Sequence, residues 1–101
     1  LEVQPADPES YVPRFVSDLE LNEEVSRRAR ELVDSARKEG VLSGKSPVGI
    51  AAAAIYAAAL LSNERVTQGE ISEVADISEV TIRNRYKELL EAKSVDGTRV
   101  Q

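Results

Sequence analysis

Near the C-terminal end of the chain, helical spacing brings four side chains together: one apolar residue, one arginine, one amide and one lysine. In the segment DISEVTIRNRYKELL, a rotation of about 100° per residue places these side chains on one outward arc. The arc contains Val80, Arg83, Asn84 and Lys87, and it continues to Glu91 just after this segment. Arginine can bridge O6 and N7 of guanine, asparagine can address N6 and N7 of adenine, and valine can touch the thymine methyl group. These side-chain types therefore suit the reading of base edges in the major groove of DNA.

The elements around this segment predict how the arc is positioned. Ile82, Tyr86, Leu89 and Leu90 fall on the opposite arc, which predicts a buried face. Upstream, Thr67 and Glu70 form the T-x-x-E pattern of a capping box at the start of a short helix. Asp76 and Ile77 follow as a turn, and Ser78 can cap the last helix. We therefore predict a helix-turn-helix over residues 67–92.

Base reading and phosphate binding are assigned to different residues of this motif. The second helix of a helix-turn-helix contacts bases with its N-terminal residues, which predicts base contacts for Val80, Arg83 and Asn84. Phosphate contacts need cations beside the groove. We assign these contacts to Lys45, Arg65, Arg85 and Lys87. Lys45 precedes the predicted start of the third helix, where backbone N–H groups favour anions.

Two other interpretations of the same pattern stay open. The last two helices could form a hairpin whose charged side is merely solvated. A helix-turn-helix geometry also occurs in modules that bind only proteins. The formal charge of -5 argues against indiscriminate binding to nucleic acid, but it does not exclude a local basic face.

The composition argues against catalysis. The chain contains no cysteine and no histidine, so it has no disulfide, no thiolate metal site and no imidazole base. The carboxylate pairs Glu23/Glu24 and Glu70/Glu73 fall at capping or surface positions without a neighbouring base. The segment GVLSGKS has three residues between its glycines, whereas a phosphate loop needs four, so it is predicted to be a turn between helices. We expect no enzymatic activity, no cofactor and no metal.

The rest of the chain predicts an all-α fold of five helices in a single domain, residues 1–101. Caps are expected at Asp7, Asn22 and Ser46, with prolines at the first positions of the first and third helices. Gly40 suits a left-handed end of the second helix. Pro13 falls in the first turn if the regular turns begin after Ser10, and otherwise kinks the helix. The tail, residues 96–101, is expected to fray.

The third helix, residues 46–61, is expected to lie at the centre of the fold. Its stretch 51–61 is apolar on every side and is rich in alanine, which lets neighbouring backbones approach closely. The charge-free run of residues 46–63 is too weakly apolar and slightly short for a membrane span, so no membrane is expected as a partner. The chain starts at leucine without a visible signal peptide, and we expect it to be excised from a longer protein.

Several motifs in order resemble the general transcription factor B family, which comprises eukaryotic initiation factor IIB and its archaeal counterpart. The specific parts are GKSP at residues 44–47, the alanine-rich run with Ile55 and Tyr56, Thr67-Gln68, and VTIR at residues 80–83. YVPRF, residues 11–15, is similar to the archaeal branch. The resemblance covers residues 7–93.

The resemblance implies a five-helix cyclin-like domain that is the second of two repeats in a general transcription initiation factor. Its helix-turn-helix would bind double-stranded promoter DNA at the B-recognition element upstream of the TATA box, and so help to set promoter direction. The family's base-reading positions correspond here to Val80 and Arg83. The implied partners are TATA-binding protein and, through an N-terminal zinc ribbon outside these residues, RNA polymerase.

The resemblance also implies a location in the archaeal cytoplasm at the nucleoid, or in the nucleus of a eukaryote. A cyclin-type protein-interaction module without DNA contact is the alternative. The isolated domain is expected to be a monomer that binds DNA weakly. Two positions depart from the family's pattern: Asp76 stands where a turn glycine is usual, and Gly69 where a basic residue is common. We therefore expect a strained turn at Asp76 and the absence of one phosphate contact at Gly69.

Overall fold

Five helices make up the fold. The computed structural model describes residues 7–42 and 44–100, and the side chains within these ranges as far as residue 93. The helices are α1 (Pro8–Asp18), α2 (Glu23–Lys38), α3 (Pro47–Leu61), α4 (Gln68–Ala75) and α5 (Glu79–Val100). No strand occurs in the described ranges. The predicted all-α class with five helices is therefore confirmed.

The first three helices begin where their capping residues predict. The Asp7 carboxylate accepts a hydrogen bond of 3.0 Å from the N–H of Glu9, and Asn22 Oδ1 accepts one of 2.7 Å from the N–H of Glu24. Ser46 caps α3. Such caps satisfy N–H groups that have no partner within the helix, so short sequence patterns suffice to locate these starts. The predicted left-handed residue after α2 is also present, because Gly40 has φ +74°.

The structure decides between the two interpretations of Pro13 and differs from the expectation for the tail. Pro13 lies inside α1, so the interpretation in which the regular turns begin after Ser10 does not hold. Proline has no N–H with which to reach the carbonyl one turn earlier, and the side chain of Pro13 faces solvent. Residues 96–100 continue α5 to Val100, in place of the expected frayed tail, and residue 101 lies outside the described residues. Extending an existing helix adds one hydrogen bond per residue, which outweighs the weak local pattern of this segment.

The third helix is the centre of the fold. It packs against all four other helices, and its residues from Ile50 to Ala59, except the half-buried Tyr56, are at most 1% exposed. The predicted central position is thereby confirmed, but not for its last two residues. Leu60 is 51% exposed and Leu61 is 44% exposed. α3 leaves the core at this turn, and the chain reverses at Asn63, which has φ +61°.

Ion pairs cover the outer side of α2. Arg27 pairs with Glu24 at 2.6 Å and with Glu31 at 2.7 Å, and Arg28 pairs with Glu24 at 2.8 Å. The hydrogen bond from Arg27, followed by that from Arg28, lowers the pKa of Glu24 below its ordinary value of 4.5. The same contact with Glu24 raises the pKa of Arg27. Glu24, one of the carboxylates considered for catalysis, is thus held in surface ion pairs.

A second ion-pair group joins the start of α1 to the end of α2. Arg37 lies 2.9 Å from Asp7 Oδ1 and 3.0 Å from Glu9 Oε2. The hydrogen bond to Glu9 raises the pKa of the Arg37 guanidinium. All three side chains are substantially exposed, so this group contributes little to stability.

Candidate nucleic-acid interface

The short helix α4 starts at a complete capping box. The Glu70 carboxylate accepts a hydrogen bond of 2.9 Å from the N–H of Thr67, and Thr67 Oγ1 accepts one of 3.0 Å from the N–H of Glu70. This reciprocal pair satisfies two N–H groups at the helix start, as the T-x-x-E pattern predicts. Glu70, a second carboxylate considered for catalysis, therefore has a structural role.

A left-handed residue separates α4 from α5. Asp76 has φ 56° and ψ 51°, and the N–H of Ile77 donates a hydrogen bond of 3.2 Å to the carbonyl of Ser72. The Ser72 hydroxyl in turn donates to the carbonyl of Ile77. These bonds hold the three-residue turn between the two helices. The expected strain at Asp76 is consistent with this backbone, because a side chain at positive φ crowds the following carbonyl.

The start of α5 is fixed by its own cap and by α3. Ser78 Oγ accepts a hydrogen bond of 3.2 Å from the N–H of Thr81. Gly49 of α3 faces this point, and a Cβ atom on Gly49 would lie 3.0 Å from Ile77 Cδ1 and 3.3 Å from Thr81 Cγ2. The central helix therefore supports the turn and the first residues of α5 at close range.

The inward arc of α5 is buried as predicted. Ile82 and Leu89 have no exposed surface, and Tyr86 and Leu90 are partly buried. The ring of Tyr86 meets that of Tyr56 edge to face, with centroids 4.9 Å apart and an angle of 84° between the rings. This packing anchors α5 on the core and leaves its other side to solvent.

The outward arc of α5 is free for contacts. Val80 is 55% exposed, and Arg83, Asn84, Lys87 and Glu91 are exposed as well. Among the described side chains, none of these four polar residues takes part in an ion pair or a hydrogen bond. The structure therefore confirms the exposure of the predicted base-reading residues, whose role stays a prediction. It presents an apolar group, a guanidinium and an amide along two successive turns.

Two of the four phosphate candidates converge on one carboxylate. Lys45 Nζ lies 3.3 Å from Glu88 Oε1 and donates a hydrogen bond of 2.8 Å to the carbonyl of Val41. Arg85 Nη1 lies 3.0 Å and 3.1 Å from the two carboxylate oxygens of Glu88. Sequence reasoning overlooked Glu88, although the spacing of three residues between Arg85 and Glu88 is a known signal for a helical pair.

The other two phosphate candidates are exposed and lie on separate elements. Lys87 belongs to the outward arc of α5, whereas Arg65 lies in the connection between α3 and α4. Neither residue pairs with a described side chain. The four candidate cations thus fall into two groups. Lys45 and Arg85 are held by Glu88 and are called the clamped pair, whereas Arg65 and Lys87 are free of described partners.

A shallow cavity of about 320 Å³ lies beside the clamped pair. It is lined by Glu39, Val41, Lys45, Glu88, Glu91 and Ala92. Three carboxylates and one ammonium group contribute to this lining. The described side chains contain no cluster of three or more residues that could hold a metal ion. None of the described helices combines the length and the apolar character that crossing a membrane requires.

A family model and the curated relatives of this chain all point to the same family. The model of the transcription factor TFIIB repeat matches residues 1–92. Transcription initiation factor IIB 6 of Halobacterium salinarum is 74% identical over 93 residues, which cover 92% of this chain and 29% of that protein. Transcription initiation factor IIB of Haloarcula vallismortis is 58% identical over 95 residues, which cover 94% of this chain and 83% of that protein.

A more distant relative extends the match. Transcription initiation factor IIB of Methanopyrus kandleri is 48% identical over 96 residues, which cover 95% of this chain and 31% of that protein. The chain spans about 30% of the length of most of the curated relatives that it matches. These relatives are named as transcription initiation factors, and none of the names denotes an enzyme. Because the family model covers most of its length, the chain belongs to the transcription factor TFIIB repeat family.

Proposed function

We propose that this chain is the second cyclin-like repeat of an archaeal general transcription initiation factor. In this proposal α4 and α5 form a DNA-binding helix-turn-helix, and α5 enters the major groove at the B-recognition element upstream of the TATA box. The observation that carries the proposal is the outward arc of α5. Its first turns expose Val80, Arg83 and Asn84 without partners among the described side chains, while Ile82 anchors the helix on the core.

Each exposed side chain has a specific task in this proposal. Arg83 donates two hydrogen bonds to a guanine, Asn84 pairs with the edge of an adenine, and Val80 contacts a thymine methyl group. Lys87 lies one helical turn after Arg83 and binds a phosphate, which positions the helix without reading sequence. The rigid support from α3 keeps these groups in register with the groove.

The affinity of the isolated chain for DNA is expected to be low. The formal charge is -5, and the phosphate contacts are assigned to only four cations, Lys45, Arg65, Arg85 and Lys87. Each phosphate neutralised by a cation contributes a slope of about 0.9 to the fall of log affinity with log salt, so few contacts give a shallow slope. TATA-binding protein and the other parts of the factor supply the missing affinity, because tethering raises the local concentration of α5 beside its element. RNA polymerase joins through the factor's N-terminal zinc ribbon, which lies outside this chain, and the complex forms at the archaeal nucleoid.

A footprint on a promoter duplex tests this function. The duplex carries a TATA box, and its upstream element is either native or scrambled. With TATA-binding protein present, and with this chain joined to the other parts of its factor, we expect protection to extend upstream of the TATA box on the native duplex only. Equal protection of both duplexes would mean that α5 reads no sequence. No upstream protection at all would favour the alternative function.

That alternative is a cyclin-type protein-interaction module without DNA contact. The specific observation in its favour is the exposed pair Leu60 and Leu61 at the end of α3, which a protein partner could cover. The double variant Leu60→Ser/Leu61→Ser separates the two functions. If α5 is the interface, the double variant should leave the upstream footprint intact. If the end of α3 is the interface, the variant should lose binding to its protein partner.

A further inference from the structure

We propose that Lys45 and Arg85 form a phosphate-binding site that Glu88 occupies in the free protein, so that DNA must displace the Glu88 carboxylate. This inference rests on the proposed DNA-binding function and adds to it. It adds two phosphate-binding cations that are blocked in the free protein, the masked site, and it names Glu88 as the residue that blocks them. Glu88 thereby becomes a positioning residue that acts on DNA binding through two cations.

The first argument is the convergence of two cations on one anion. Lys45 comes from the connection before α3 and Arg85 from α5, and both reach the carboxylate of Glu88 within 3.3 Å. The side chains of Lys45, Arg85 and Glu88 are 24%, 30% and 37% exposed, so the group is partly desolvated but still open to solvent. A carboxylate and a phosphodiester each carry one negative charge and offer two oxygens to such donors. Glu88 can therefore stand where a phosphate would bind.

The second argument is the position of this group on α5. Glu88 follows Asn84 by one helical turn, and hence lies only about 40° around the helix from it. The group thus borders the outward arc on the side that faces the start of α3. When the outward arc lies in a major groove, a DNA backbone runs along its border. A fixed carboxylate at this border would repel the backbone, whereas the two cations would bind it once released.

The exchange has a measurable consequence in salt. Salt screens the internal ion pairs and the phosphate contacts alike, so the two effects partly cancel in the native protein. In Glu88→Gln both cations start without a charged partner. We expect the slope of log affinity against log salt to steepen by about 0.9 for each cation that gains a phosphate, and by about 1.8 for both. At low salt the affinity should rise roughly two- to fivefold, the range that a half-exposed ion pair is worth.

Glu91→Gln is the matched control. Glu91 lies on the same helix, lines the same cavity and loses the same charge, but it pairs with no described side chain. Binding is measured by fluorescence anisotropy on the TATA-containing duplex with TATA-binding protein, across a salt series. Both variants weaken the repulsion between the acidic protein and DNA. Only Glu88→Gln should steepen the slope of log affinity against log salt. Because Glu91 lies on the outward arc and its charge can affect affinity by itself, the slope decides: equal slopes in the two variants would overturn the inference.

A coupling measurement checks the assignment of Lys45. Lys45→Ala should cost more affinity in the Glu88→Gln background than in the native protein, because only there is the ammonium group free for DNA. An equal cost in both backgrounds would contradict the release of Lys45 by DNA. Thermal unfolding of each variant shows whether the fold is intact, and Lys45→Arg keeps the charge if Lys45→Ala unfolds.

The outcome is separable from that of the proposed function. If all variants prefer the native element but Glu88→Gln behaves like Glu91→Gln, only the masked site is refuted. If Glu88→Gln steepens the salt slope on native and scrambled duplexes alike and no variant discriminates between them, the masked site stands as a general polyanion site. In that case the sequence-specific function fails.

Discussion

Asp76 ends α4 by donating its backbone N–H to the carbonyl of Ser72 while it adopts a left-handed conformation, with φ 56° and ψ 51°. The turn that sets the direction of α5 therefore depends on a residue other than glycine at a position that favours glycine. Asp and Asn tolerate this backbone better than other side chains do, because their short polar groups can bond locally. The side chain of Asp76 is exposed and bonds to no described group, so its effect on stability comes from the backbone.

The first prediction ranks three residues at this turn. Asp76→Gly should raise the free energy of unfolding by up to about 1 kcal/mol, because glycine adopts positive φ without crowding. Asp76→Ala should be about 1–2 kcal/mol less stable than Asp76→Gly, the range expected for an ordinary side chain in left-handed backbone. Urea unfolding followed by circular dichroism gives the order. Equal stabilities of the glycine and alanine variants would show that the turn relaxes out of the left-handed region.

The sequence predicted most of what is local. Caps at Asp7, Asn22 and Thr67 are visible as short patterns because each cap bonds N–H groups two or three residues away. The two arcs of α5 follow from helical periodicity alone. The contact between Lys45 and Glu88 could not be predicted in this way, because it exists only after α3 and α5 have packed together. The exposure of Leu60 and Leu61 likewise depends on where the other helices end.

The second prediction concerns the core around α3. Ala53 and Ala57 have no exposed surface and belong to α3, which packs against the other four helices. Ala53→Leu or Ala57→Leu should overpack this region and lower the free energy of unfolding by about 1–3 kcal/mol. Leu60→Ala, on the same helix but at an exposed position, should change it by less than about 0.5 kcal/mol. Native melting temperatures in both core variants would contradict the close packing of α3.

The third prediction is a pH dependence from Glu24. Its pKa is lowered by the hydrogen bonds from Arg27 and Arg28, so its contribution to stability is present above pH 4.5 and is lost as the pH falls through the lowered value. Glu24→Gln should therefore melt below the native protein at neutral pH, and the gap should close in acid. Glu23→Gln is the control, because Glu23 starts the same helix without an ion pair to a described side chain. A gap independent of pH would exclude the charge of Glu24 as its cause.

The fourth prediction restores a cation at Gly69. A Cβ atom on Gly69 would lie 3.5 Å from Glu79 Oε2 and 3.7 Å from Thr67 Oγ1, which are ordinary contacts, so a side chain fits there. Gly69→Lys should tighten DNA binding at low salt and steepen the salt slope by about 0.9, because it adds one phosphate contact. Gly69→Ala should gain only helix stability, about 0.5–1 kcal/mol, without a change in slope. Identical slopes for the two variants would mean that α4 starts away from the DNA backbone.

The fifth prediction separates base reading from phosphate binding on the outward arc. Arg83 and Lys87 are both exposed cations without partners among the described side chains, and they lie one helical turn apart. Arg83→Ala should cost about 1–3 kcal/mol of binding free energy on the native element, because a bidentate contact to guanine is lost. It should cost little on a scrambled element, where no such guanine is available in register.

Lys87→Ala is the matched comparison for Arg83→Ala, because both changes remove one positive charge from neighbouring turns of the same helix. Lys87→Ala should weaken binding to native and scrambled duplexes about equally and reduce the salt slope by about 1. Both variants should keep native stability to within about 0.5 kcal/mol, since neither side chain packs on the core. Binding to the two duplexes with TATA-binding protein gives all four values. If Arg83→Ala lowers both affinities by the same factor, Arg83 contacts a phosphate, and base reading by α5 must rest on Val80 and Asn84.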